Sequence, residues 1–200
     1  LLERLFNLTF CTNDGGIPFF YEVKEIKKWI GDFCQGFFLT FIYQYIAFKT
    51  RNPQYLIIEG LSDFSKAVET AKKENLGYLC PIIEDAAHAL ANENIDIIWE
   101  IAREAPKKIA AKQGEYIVQM IDEFQFLNAV VYLDKEKKNL ADTLAGGYLS
   151  TAESKIAPLL VSGSWVGWLM NLLRMMLPAR FKYKFLENMP EDEAVEMVFN

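Results

Sequence analysis

Histidine is nearly missing: His88 is the only one in 200 residues. Its isolation excludes any Ser-His-Asp or Cys-His machine not built on that residue, and it excludes every histidine-rich metal site. Cysteine is almost as scarce. Cys11, Cys34 and Cys80 are odd in number and far apart, so neither a CxxC metal clip nor a disulfide framework is present. Three buried free thiols and a reducing, cytoplasmic location are the expectation. Excess positive charge is lacking as well. The 27 acids outweigh 21 bases for a formal charge of −6, which argues against direct affinity for nucleic-acid phosphates. No basic, apolar, small-residue leader is found at the start, so no secretory signal is expected. Carboxylates, Arg, Lys and hydroxyls are left to carry any chemistry.

Against these absences stands a composition 52% apolar and 24% charged, the balance of one globular domain with a well-formed core. The first residue is not Met, and Leu1, Leu2, Leu5 and Phe6 already recur at helical spacing. Glu191 to Asn200 has the pattern of the first turns of a helix. The expectation is therefore an internal segment of a longer chain.

Ile17 to Val23 (IPFFYEV) is apolar, aromatic and β-branched and follows the turn cluster at Asn13 to Gly16, which predicts a strand. Ile26, Trp29, Ile30, Phe33 and Phe37 then share one helical face, predicting a helix to about Lys49, weakened by Gly31 and Gly36 and ended by Asn52-Pro53. Ser62 is a candidate N-cap for a helix over Asp63 to Glu74, and Asn94 for one whose stripe is Ile95, Ile98, Trp99 and Ala102, before Pro106. Tyr116 to Ile121 (YIVQMI) is nearly all apolar, as a central strand of a parallel sheet covered on both faces would be. Leu133 to Lys155, with its charge run Asp134 to Lys138, predicts a solvated connection. Leu159 to Val161 predicts another strand, Trp165 to Leu177 a helix, Phe181 to Leu186 a last extended run, and Pro190 precedes a final helix. Strands alternating with helices imply an α/β fold with a parallel sheet.

Ile156 to Leu173 holds 18 residues without a charge, the minimum for a membrane span. Pro158, Ser162, Gly163 and Ser164 break its first half, and Arg174 separates it from Met175 and Met176, so strand, loop and helix are expected and no membrane span. The Trp165 helix is apolar all round, with Val166, Leu169, Met170 and Leu173 on one face and Trp165, Trp168 and Leu172 on another. Such a helix belongs to the core or docks on a partner.

The strongest chemical signal is Ile117 to Glu123, an apolar strand that ends in two adjacent carboxylates. In open parallel sheets ligands bind at the carboxyl ends of strands, so both acids would emerge at a site. Asp122 could hold Mg²⁺, directly or through its water, while Glu123 orients and deprotonates an attacking water. The next strand ends in Ser162-Gly163-Ser164, where a hydroxyl could sense a γ-phosphate. Arg180, just before the last extended run, could stabilise charge on a transferring phosphoryl group.

Taken in order, IVQMIDEFQFL, APLLVSGSWVGWL and PARFKYKFLENMPEDEA resemble the archaeal-type ATPase family, in the AAA+/STAND branch of P-loop NTPases. The resemblance spans roughly residues 1 to 199 and is strongest over 115 to 199. It implies a P-loop NTPase core of the ASCE type with sheet order 5-1-4-3-2, ATP with Mg²⁺, and a winged-helix region after the core. Asp122 then matches the Walker B aspartate and Glu123 the catalytic glutamate. Either Ser162 or Ser164 matches the sensor on the fourth strand, and Arg180 the arginine finger, acting in cis or on a neighbouring copy. No GxxxxGK[ST] occurs in the 200 residues. The resemblance implies that this phosphate loop and the first strand lie upstream, that residues 1–189 form an incomplete core, and that 190–200 open a following helical region. The implied partners are ATP, the missing segments and C-terminal domains of the same chain and, in a homo-oligomer, further copies of it. Competing readings are a regulatory or scaffold module that binds nucleotide with slow turnover, and a membrane-associated protein using the Trp165 helix.

Overall fold

The computed structural model describes residues 1–13, 15–57 and 63–183. In chain order its main elements are α1 (Leu2–Thr12), β1 (Ile17–Glu22), β2 (Lys28–Trp29), α2 (Ile30–Thr50), α3 (Phe64–Lys73), α4 (Cys80–Ala91), α5 (Ile95–Gln113), β3 (Ile117–Asp122), β4 (Val131–Tyr132), β5 (Leu159–Val161) and α6 (Val166–Met176). The three longer strands form one parallel sheet in the order β1-β3-β5, which places β3 in the middle as its apolar run required. Register runs from Ile17↔Ile117 to Glu22↔Asp122, and from Gln119↔Leu159 to Ile121↔Val161. The two-residue strands β2 and β4 make a small parallel ladder of their own. The protein is thus mixed α/β around a parallel sheet.

Alternation along β1 builds the layers. Phe19 packs on Phe37 and Phe41 of α2, with ring centroids 5.1 and 5.2 Å away, while the next residue, Phe20, meets Phe6 of α1 at 6.1 Å. Successive strand side chains point to opposite faces, so this sheet carries helices on both. On α1 the buried stripe is Leu2, Phe6 and Phe10; Leu1 and Leu5 face solvent instead. The outer edge of β1 is closed by one side chain. Gln44 of α2 accepts from the Phe20 N–H at 2.8 Å and donates to the Phe20 carbonyl at 2.9 Å, taking the place of a neighbouring strand. On the far side β5 has no partner strand among the described residues.

Five details depart from the sequence expectations. The second helix begins at Ile30, not near Ile26, because the Lys28 N–H donates to the Val130 carbonyl and Trp29 stays extended at the N-cap. Trp29 lays its ring over Gly31, which is therefore a contact point for the indole more than a weakness in the helix. Further on, α5 runs straight through Pro106 to Gln113. The missing proline N–H costs a helical bond, but Pro106, Ile109 and Ala110 are all buried, and that burial carries the helix past it. The connection after Leu133 is solvated only in part, since the 3-10 turn Leu144–Ser150 buries Tyr148 completely. Lastly, Cys34 and Cys80 are buried as expected, but Cys11 is exposed on the outer side of α1.

Asn94 does sit at the N-cap of α5, without a side-chain capping bond. The cap of α3 is Asp63, whose carboxylate accepts from the N–H groups of Ser65 and Lys66; Ser62, the expected cap, lies outside the described residues. The same holds for half of the run Phe181 to Leu186, from residue 184 onward, and for the helix after Pro190. Leu169, Leu172 and Leu173 of α6 are buried, while Trp165, Val166, Trp168 and Met175 are exposed. Among the described residues no helix is long and apolar enough to cross a membrane.

Candidate functional site

The site arises from register. Since Ile121 pairs with Val161, the next residues on each strand, Asp122 and Ser162, fall side by side at the carboxyl edge of the sheet. The ladder continues one step beyond the strands, with the Ser162 N–H donating to the Ile121 carbonyl and the Phe124 N–H to the Ser162 carbonyl, both at 3.0 Å. Ser162 Oγ then donates to Asp122 Oδ1 at 2.5 Å. The same carboxylate oxygen accepts the Glu123 N–H at 2.9 Å. Its other oxygen, Oδ2, has no protein partner among the described residues.

Glu123 turns the chain out of the strand in a left-handed conformation, φ 53° and ψ 40°. For a residue with a side chain this costs about 1–3 kcal/mol unless the surroundings impose it. They do. Glu123 Oε2 accepts from Ser164 Oγ at 2.9 Å, from the Ser164 N–H at 3.3 Å and from Gln125 Nε2 at 2.5 Å. Oε1 is left without a protein partner among the described residues. Both carboxylates are half-buried, and Glu22 stands beside Asp122 on β1, exposed. Burial pushes the Tyr21 and Tyr148 hydroxyls and the Cys34 thiol to titrate well above their ordinary values, because a desolvated site disfavours the charged form.

Asp122, Glu123, Ser162 and Ser164 are therefore brought together. Arg180 is not. Helix α6 leads the chain away from the carboxyl edge, and after it the Arg180 guanidinium pairs with Glu153 in the segment that precedes β5. Gln125, which touches Glu123, had no sequence signal beyond its place two residues after the carboxylate, on the tight turn Phe124–Asn128.

Among the described residues no three His, Cys, Asp or Glu side chains converge as a metal cage. Asp122 has one carboxylate oxygen, Oδ2, left for a cation. That donor set fits Mg²⁺, which keeps most of its water and takes one or two carboxylates beside substrate phosphate oxygens. A cavity of about 530 Å³ opens at the other edge of the sheet, around Gly16, Lys49, Gly114, Glu115 and Tyr116, and includes none of the candidate residues.

Gly163 between the two serines is a steric requirement. A methyl group there would come within 2.9 Å of Gln125 Cδ, inside a fully buried side chain. Gly163→Ala is expected to lower the free energy of unfolding by about 1–3 kcal/mol, as overpacking usually does. A shift in the urea midpoint measures it, and an unchanged midpoint would mean that the amide moves aside freely. Comparison of the chain with protein-family models, with curated proteins and with solved structures finds no match among any of them.

Proposed function

We propose that this chain carries the hydrolytic half of an ATPase core of the P-loop type, from the AAA+/STAND branch, acting as a conformational switch in the cytoplasm. One observation carries the reading. Two adjacent carboxylates at the end of a central parallel strand are each hydrogen-bonded to a serine at the end of the neighbouring strand. Phosphoryl transfer needs a metal-holding acid, a base for water and a polar group near the transferred phosphate, all at the carboxyl edge.

In this reading Asp122 offers Oδ2 to Mg²⁺ or its water, and Ser162 keeps Oδ1 turned inward. Mg²⁺, when bound, supplies charge neutralisation at the phosphate oxygens. Glu123 takes the proton of the attacking water on Oε1. Ser164, exposed and tied to Glu123, is placed to meet the γ-phosphate, with Ser162 one step deeper. The phosphates themselves need a glycine-lysine loop that these 200 residues do not contain, so the reading requires a phosphate-binding segment outside them. Arg180, committed to Glu153 in its own chain, would serve as a finger only after leaving that pair, most simply toward a neighbouring copy.

The test is nucleotide titration of the full-length protein with and without Mg²⁺. Asp122→Asn is expected to weaken Mg²⁺-dependent ATP binding roughly tenfold, the scale of one lost charged contact, and to leave metal-free binding alone. Equal affinity of parent and variant in the presence of Mg²⁺ would remove Asp122 from the metal site and the reading with it.

A further inference from the structure

Gln125 is completely buried, on the turn that comes after the two carboxylates. Its Nε2 donates to Glu123 Oε2 at 2.5 Å, and its carbonyl Oε1 is buried without a hydrogen-bond partner among the described residues. Chemistry settles which way the amide faces. A carboxylate only accepts, so the NH₂ group must point to Glu123, and the oxygen is left against Gly163. A buried carbonyl without a donor is destabilising, and an unbranched apolar side chain of the same length would avoid it. Packing alone gives no reason for glutamine here.

We infer that Gln125 is a positioning residue: together with Ser164 it anchors Glu123 Oε2, so that Oε1 is the oxygen presented to the attacking water. The three donors come from two directions, Gln125 from the turn after β3 and Ser164 from the loop after β5. A carboxylate held from both sides by one oxygen cannot rotate to exchange its two oxygens. Glu123 also has its backbone fixed in the left-handed region, so side chain and main chain are both immobilised. Such support by neighbouring groups is what keeps a reacting atom within the small tolerance that catalysis needs. Gly163 belongs to the same device, because only a residue without Cβ leaves room for the amide. The role of Oε1 rests on the ATPase reading; the anchoring of Oε2 does not.

The experiment is Gln125→Met in the full-length protein, with Ser164→Ala beside it. Labelling of carboxylates by glycine ethyl ester and a water-soluble carbodiimide, read by mass spectrometry, should speed up several-fold at Glu123 and stay constant at Glu115, which lies at the opposite edge. For Gln125→Met, kcat for ATP should fall by about tenfold with KM unchanged, as expected for a misplaced reacting group. The unfolding midpoint should hold or rise, since the orphan carbonyl is gone. Ser164→Ala, at an exposed position, should raise Glu123 labelling in the same direction. Unchanged labelling in both variants overturns the inference, and so does a parental kcat in Gln125→Met. A lower midpoint with kcat and KM changing together would mark Gln125 as a packing residue and overturn it too. If labelling rises while even the parent hydrolyses no ATP, the anchor stands and the ATPase reading falls.

Discussion

Glu123→Gln is expected to slow ATP hydrolysis by roughly 100-fold or more, the scale of a lost general base, while Mg-ATP affinity stays near the parental value. The hydrogen bonds around the residue say why an isosteric change should be so damaging. Oε2 faces three donors, from Gln125 and from Ser164. A glutamine at 123 can satisfy them only by turning its carbonyl oxygen to that side. Its NH₂ group then occupies the place of Oε1 and offers a donor where the attacking water needs an acceptor. The substitution therefore removes the base and also points the wrong polarity at the nucleophile. Phosphate release under single turnover, set beside an equilibrium titration of nucleotide, separates the two effects. Hydrolysis at the parental rate would take the base away from Glu123.

Phe37→Ala is expected to cost about 3–5 kcal/mol of folding stability, the range for deleting a buried aromatic ring. Phe37 is fully buried, and its ring lies 5.1 Å from Phe19, 4.9 Å from Tyr21, 6.0 Å from Phe33 and 6.1 Å from Trp99, centroid to centroid. These neighbours belong to β1, α2 and α5. Rigid rings on three separate elements cannot collapse into the space left behind, so the cavity persists and the upper part of the range applies. Against a net domain stability of about 5–15 kcal/mol this is a large share. Denaturant unfolding should show a lower midpoint with the same slope. A shift worth under ~1 kcal/mol would mean that α2 repacks on β1 far more freely than its rings suggest.

The sheet was the most legible part of the fold. β1, β3 and β5 are short apolar runs set between turn residues; β3, buried on both faces, reads as a nearly continuous apolar run, while β5, with Leu160 exposed, is marked by the turn residues on either side of it. The meeting of Asp122 and Glu123 with Ser162 and Ser164 was legible for the same reason, because strand ends in a parallel sheet share an edge. The features that escaped depend on contacts between distant segments. Trp29 has the spacing of a helical residue, and only its pairing with β4 makes it extended. Pro106 marks a helix end locally, yet the buried residues around it continue α5. Tyr148 lies in a polar stretch, and its burial against Trp99 and Phe124 needs the fold to bring those rings to it. Gln125 looks like any polar residue after a strand; its role exists only because the loop after β5 closes over the same carboxylate. Arg180 had a local motif, but its ion pair with Glu153 depends on where α6 delivers the chain.

The register of β1 on β3 also bears on how the molecule folds. Ile17 pairs with Ile117, so every rung of this ladder joins residues a hundred positions apart, with α2, α3, α4 and α5 in between. Closing so long a loop in an unstructured chain costs about 4 kcal/mol in entropy before the first rung repays any of it. The intervening helices shorten that search, because α2 packs on β1 through Phe19 and Phe37 and on α5 through Phe37 and Trp99, and α5 runs directly into β3. Folding is therefore expected to start from the helical side, with α2 and α5 carrying the two strands toward each other and the ladder zipping late, an order that low φ-values for substitutions along β1 and β3 and high ones in α2 and α5 would bear out. On that order the carboxylate pair, at the far end of the ladder and dependent on β5 as well, is expected to be among the last features to take shape.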